Sequence, residues 1–414
     1  EKMAQLMGGY FDTRETRSSD ERAADLSRDL PALITHAQTN TGYFKDSLRG
    51  CDASAITTEA DLVALPIVRK SDMVANAEDT LPLRNFAGVP FHALHTIYQS
   101  PGPIYEAGMR GTDWWRFGRA LAAVGVGKGD IVQNCFAYHF TPAGMMFESA
   151  AAAVGAVVVP AGTGQTEMQA TAMANLGVTV YAGTPDYLKA ILEKGEALGL
   201  DLSSVTRACV SAGPLFPALR QDYEERGITC RQCYGTADVG HIAYESLALD
   251  GMIVDEGVIV EIVVPGTGIP VEDGQIGEVV VTTFSHETPL IRFATGDLSA
   301  ILPGTSPCGR TNKRIVGWRG RADQATKIKG MFVRPEQVAA LVARHDEIVR
   351  ARVTVTHDGS TDIMTVQLEA SQGSPETFTE SVHDIFKLRG QVEVVMPGNL
   401  PNDGLVIDDK RDIG

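Results

Sequence analysis

Positive charge is scarce in this chain, as are long apolar runs and cysteine. Lysine and arginine number 36 against 52 acidic residues, a formal net charge of -16. An acidic balance of that size excludes nucleic acid or an anionic membrane as the main partner, because either requires a basic face. The longest apolar stretch, the Ala/Val-rich 149–161, falls short of a membrane span. No secretory signal is visible at the N-terminus, although a chain opening on Glu1 leaves room for a lost leader. The six cysteines (Cys51, Cys135, Cys209, Cys230, Cys233, Cys308) are spread over 414 residues, which excludes a disulfide framework and fits a reduced, cytoplasmic protein. Cys230 and Cys233 form one CxxC inside ITCRQCYG. With no second CxxC, this reads as a buried strand, not half of a zinc or redox site.

What remains is ordinary globular material, with 44% hydrophobic and 21% charged residues in a chain too long for one core. Residues 1–90 are mostly helical: 20–36 has apolar positions at helical spacing, and 58–65 opens like a helix. From 95 to 213, apolar strands alternate with helices. Strands are predicted at 130–137, 156–160 (buried), 178–182 and 208–211, and helices at 142–153, 166–175 and 186–198. That alternation implies a parallel sheet covered on both faces, with ligands at the strand ends. After Tyr234, short β runs at 257–264, 277–283, 298–302 and 314–317 predict an antiparallel sheet or distorted barrel. The last ninety or so residues predict a separate α+β unit, with helices at 334–344 and 376–388 and strands at 348–357, 363–369 and 391–395.

Three short motifs carry chemistry. Asp297 in RFATGD (292–297) follows an apolar strand, where a carboxylate can accept both hydroxyls of a ribose; a turn-capping aspartate is the plain alternative. In YGTAD (234–238), Tyr234 offers a ring to stack on adenine, Thr236 a hydroxyl for a phosphate, and Asp238 a carboxylate for magnesium. Its alternative is a strand and turn with a buried tyrosine. GRAD (320–323) reads as a bend with Arg321 available to phosphate, or as a surface turn.

In this order and spacing the three motifs resemble the AMP-forming acyl- and aryl-CoA ligases, and most of all the phenylacetate-CoA ligase family. EADLVALPIVRKSDM (59–73), GAVVVPAGTGQTEMQ (155–169) and TPDYL (184–188) extend the resemblance over nearly the whole chain. It implies an α/β adenylate-forming fold: a large domain at 1–320, with parallel α/β sheets and a β-rich subdomain, and a small mobile α+β domain at 321–414. It further implies ATP/AMP, magnesium and coenzyme A as cofactors, a small carboxylic acid as substrate, and a homodimer. Ser211, Ala212, Gly213 and Pro214 would lie beside adenine, with Tyr234 and Gly235 on its ring. Thr236 would meet the α-phosphate, Asp238 the magnesium, Asp297 the ribose, and Arg321 phosphate or ribose. Tyr138, Phe140 and Gly144 would line the acyl pocket, an aromatic wall suited to a flat acid. His139 between them would orient substrate or sit satisfied in the core. Lys327 to Gly330 would guide the CoA arm.

The chain departs from that family in three places. Its Ser/Thr/Gly-rich phosphate loop is here YQSPGPIYEAG (98–108), where two prolines remove N–H donors and Glu106 adds negative charge. The late catalytic lysine is replaced by Leu405 in PNDGLVIDD. Lys410, five strand residues on, is about 15 Å away and faces the other side. A zinc site found in relatives keeps only Cys308, its other positions being Ser246, Met252 and Ser306, so no structural zinc is expected. The expected activity is an ATP-dependent acyl- or aryl-CoA ligase; the alternative is a relative that binds the adenylate without forming it.

Overall fold

A computed structural model describes residues 9–78, 81–100, 104–213, 215–322, 324, 326–328, 331–357 and 362–411. The first long helix, Ser19–Asn40, starts at a capping box in which Ser18 and Glu21 each bond the other's backbone N–H. Leu30, Leu33, Ile34 and Ala37 form its buried stripe. The helix predicted at 58–65 is instead a 3-10 turn, Ala60–Ala64. Asp61 accepts the N–H groups of Thr57 and Thr58, and Pro66 prevents further helix.

A nine-stranded sheet forms the centre. Five parallel strands, Ile131–Asn134, Val157–Pro160, Val180–Gly183, Arg207–Val210 and Thr229–Thr236, lie in the spatial order 2-1-3-4-5 by chain position. That order reverses direction between Ile131–Asn134 and Val180–Gly183, so a crevice opens beyond their C-terminal ends. The strand predicted as buried at 156–160 is the sheet's edge, with Val157 63% exposed. A proline at its end is tolerated there because no neighbour needs its N–H.

Four antiparallel strands extend the other side of this sheet: Gly240–Glu245, Met252–Val254, Arg314–Ile315 and Ile301–Leu302. A second, four-stranded sheet orders Val68–Arg69, Phe293–Ser299, Gly277–Thr283 and Val258–Val263. The single strand predicted at 298–302 is therefore two. Leu298 and Ser299 end one strand, and beyond Ala300 the chain joins the other sheet. A third sheet holds Gln391–Val395, Asp362–Ala370, Ile348–His357 and Ile407–Asp409 in that order. Helices Pro335–Arg344 and Pro375–Phe386 contribute to its core, which includes Val338, Leu341, Val353, Val366, Phe378 and Phe386.

Candidate active site

All three motifs meet at Asp297. Its carboxylate, 8% exposed, accepts Tyr234 Oη at 2.8 Å, Trp318 Nε1 at 3.1 Å and Arg321 Nη1 at 3.3 Å. Burial raises its pKa, and the bonds to Tyr234, Arg321 and Trp318 oppose that rise. The backbone holds the same pairing: Asp297 and Arg321 form an isolated bridge, Ala322 N donates to Gly296 O, and Leu298 N to Gly320 O. Gly320, at φ +117°, makes the bend; a side chain there would be strained and would meet Val406.

Tyr234 sits at the end of strand Thr229–Thr236, where a bulge between Tyr234 and Gly235 re-aims the chain. Its neighbour at the end of Arg207–Val210 is Ser211, whose hydroxyl donates to Cys233 O at 2.9 Å. Ala212 follows with φ 61°, a left-handed conformation unusual for a residue with a side chain, and Gly213 comes next. Thr236 Oγ1 accepts Val239 N at 3.1 Å, closing the turn that carries Asp238.

The Asp238 carboxylate is buried and pairs with Lys70 Nζ at 2.9 Å. No group of three or more His, Cys, Asp or Glu able to hold a metal occurs among the described residues. Both Asp238 oxygens are buried with no hydrogen-bond partner, Lys70 meeting Oδ2 only as an ion pair. Beside the pair lies the altered phosphate segment, whose described residues form a hairpin of Thr96–Ser100 and Ile104–Gly108. Ser100 Oγ donates to buried Glu106 across the hairpin. Burial lifts the Glu106 pKa to about 7, against the bond from Ser100; Asp238 pushes it further up and Lys70 pulls it down. The negative charge expected from Glu106 is thus only partly present near pH 7.

The predicted acyl stretch occupies the crevice where the strand order reverses. Tyr138 Oη accepts Asn134 Nδ2 at 2.8 Å, and its ring packs on Gly144 so closely that a Cβ there would lie 2.7 Å from it. Phe140 departs from the expected wall. It is 64% exposed at φ 63°, and His139 is exposed rather than in the core. The Phe140 carbonyl accepts Gln99 N at 3.0 Å, tying this stretch to the hairpin.

The segment carrying Leu405 reaches the same neighbourhood. Gln324 Nε2 donates to Gly404 O at 3.1 Å, and Val406 N to Gln324 Oε1 at 2.9 Å, three residues from Arg321. Leu405 itself is 41% exposed, while Lys410 is exposed and pairs with Asp408 at 3.5 Å. Pro214, Asp323, Gly330 and the Lys327 side chain lie outside the described residues. Where the resemblance matches Cys308 to a zinc ligand of relatives, Ser306 Oγ donates to buried Cys308 Sγ at 3.0 Å. Burial raises this thiol's pKa, and bonds involving Ser306, Ser246 and Arg310 bring it below the ordinary value. A cleft lined by Arg14, Arg17, Arg22 and Glu256 includes no residue of the three motifs.

Sequence reasoning missed Trp318 and Lys70. Trp318 stands two residues before GRAD, and Lys70 in the LPIVRK segment, so both were adjacent to motifs already read. Arg292 of RFATGD, another omission, is structural: it bonds both Glu261 oxygens and the carbonyls of Leu65 and Gly268.

A family model described as AMP-binding enzyme matches residues 120–285. Phenylacetate-coenzyme A ligase of Aromatoleum evansii is 30% identical over 87% of this chain and 84% of that protein. The Escherichia coli (strain K12) protein of the same description is 30% identical over 88% and 86%. Among solved structures, 2-hydroxyisobutyryl-CoA ligase in a postadenylation state superposes with a TM-score of 0.76, at 20% identity over 96% of this chain and 91% of that one. The fold is therefore that of the adenylate-forming CoA ligases.

Proposed function

For a chain that belongs to the phenylacetate-CoA ligase family, we propose an AMP-forming acid–CoA ligase that activates a flat, aromatic acid pocketed beside Tyr138. The acid's carboxylate attacks the α-phosphorus of ATP, pyrophosphate leaves, and a thiolate of CoA then displaces AMP from the acyl carbon. The observation that carries this reading is the convergence of Tyr234, Asp297, Trp318 and Arg321 at one strand end. There the carboxylate binds the ribose hydroxyls, and Arg321 and the Thr236 hydroxyl lie toward the α-phosphate. Lys70 adds a cation at the same end, which partly offsets the donors lost with the prolines. Residues 321–414 act as a small mobile domain that closes over this site and brings the CoA-guiding segment at 327–330 to it.

A second reading is favoured by Leu405. It stands where the family has a lysine, its backbone docked beside Gln324 with no charge to present to a phosphate. On that reading the chain binds an adenylate and performs at most the thiol step. Acid-dependent ATP–pyrophosphate exchange over a panel of aromatic and aliphatic acids separates the two. A ligase exchanges with at least one acid as wild type. Exchange only after Leu405→Lys identifies the second reading, and none in either protein rejects the first half-reaction altogether.

A further inference from the structure

Arg350 lies on strand Ile348–His357, and its donors are committed. Nε and Nη2 meet the two oxygens of buried Glu369 at 3.3 and 2.7 Å, Nη1 donates to Pro401 O at 3.0 Å, and Nη2 also donates to Leu400 O. Glu369 in turn accepts Leu400 N at 2.7 Å. A guanidinium so bound along its edge is held flat, with its face left for contact. That face covers the ring of Phe216, with Cζ 4.4 Å from the centroid. Phe216 is the N-cap of helix Pro217–Glu225, just beyond the loop that starts at Ser211. One stack therefore joins the C-terminal sheet to the predicted adenine loop.

The same sheet grips the segment bearing Leu405. Arg352, on the same strand face as Arg350, donates to Asp403 and Asp408 at 2.7 Å each and to Leu405 O at 3.4 Å. Beyond it, Gln324 holds Gly404 and Val406, and Arg321 holds Asp297. The contacts close a ring from Phe216 through Arg350, the 400–406 segment and the bend at Gly320 to the Asp297 carboxylate.

We propose that Arg350 is a positioning residue for adenylate formation. Its stack on Phe216 holds the C-terminal unit with the 400–406 segment against the nucleotide site, and separation of the two faces frees that unit for thiol transfer. This inference rests on the ligase reading. A stack of this kind, partly desolvated, shifts a two-state equilibrium by about threefold to thirtyfold.

The test uses the full chain with Phe216→Leu, which keeps an apolar side chain, and Arg350→Lys, which keeps a charge for Glu369. Trypsin cleavage between residues 321 and 334, followed by intact mass, should accelerate in each variant by about threefold to thirtyfold, in Phe216→Leu at an unchanged thermal midpoint. Pyrophosphate exchange should fall by a similar factor, while thioester formation from supplied acyl-adenylate is unchanged or faster. The double variant should be no worse than either single one. Cleavage at the wild-type rate, equal loss in both half-reactions, or additive losses would each overturn the assignment. Cleavage needs no turnover, so a wild type silent in exchange counts against the ligase reading, and unaltered cleavage against the stack.

Discussion

A carboxylate offers about four acceptor positions, and at Asp297 three are taken by Tyr234, Trp318 and Arg321. A nucleotide that takes the ribose position must compete with or rearrange these donors, so the residue is poised by its surroundings. Asp297→Ala should weaken AMP by about tenfold to a hundredfold in calorimetry, the loss expected for hydrogen bonds to a charged group. Unchanged affinity would remove the ribose assignment. Glu106 makes a pH prediction. Its folded pKa of about 7 lies above the ordinary 4.5, so across that window the folded chain keeps a proton that the unfolded chain has lost. Its contribution to stability is complete below about 4.5 and declines as pH rises through 7. Glu106→Gln still accepts from Ser100 and should raise the melting temperature at pH 8 with little change at pH 5. A gain of equal size at both values would contradict the assignment. Asp238 and Lys70, the charged groups facing Glu106, are unchanged by this substitution. The motifs of Tyr234 and Asp297 single each residue out, but their bond to each other could not be read there. It joins residues 63 apart, with no local pattern to mark it.

Elements were more legible than residues. The βα alternation, the CxxC strand and both long strands of the C-terminal sheet follow from periodicity, which depends only on near neighbours. Edge position does not. Val157–Pro160 looks like an interior strand because its valines are contiguous, and only the spatial order puts it outside. The transfer at Ala300 was equally hidden, since the apolar pattern continues while the partner strand changes. Arg292 shows how strands are tied to the segment before them. It is 2% exposed and bonds Glu261 on a neighbouring sheet element along with the carbonyls of Leu65 and Gly268. Arg292→Ala should cost about 3–5 kcal/mol in urea unfolding, because Glu261 is left charged and buried. Arg292→Met with Glu261→Leu should recover most of it. A double variant as unstable as the single one would show that the lost carbonyl bonds, not the stranded charge, dominate.

Over the whole molecule, three motifs in order were enough to identify the fold, because each fixes a strand end and their spacing fixes what lies between. Lys70 opposite Asp238 and Arg350 opposite Phe216 left no such trace, being contacts between segments more than a hundred residues apart. The departures are likewise matters of assembly. Leu405, where the resemblance implies a lysine, lies in a segment that docks at the bend through Gly404 and Val406.

Trp318 is one of three tryptophans, and its indole N–H bonds the carboxylate at the centre of the predicted ribose pocket. The other two, Trp114 and Trp115, pack edge to face against each other elsewhere in the chain. Any occupant that draws Asp297 away from the indole also changes the polarity around an emitting ring. The hydrogen bond that completes the pocket thereby makes it optically visible, and binding can be followed by intrinsic fluorescence without label, substrate turnover or knowledge of the acid.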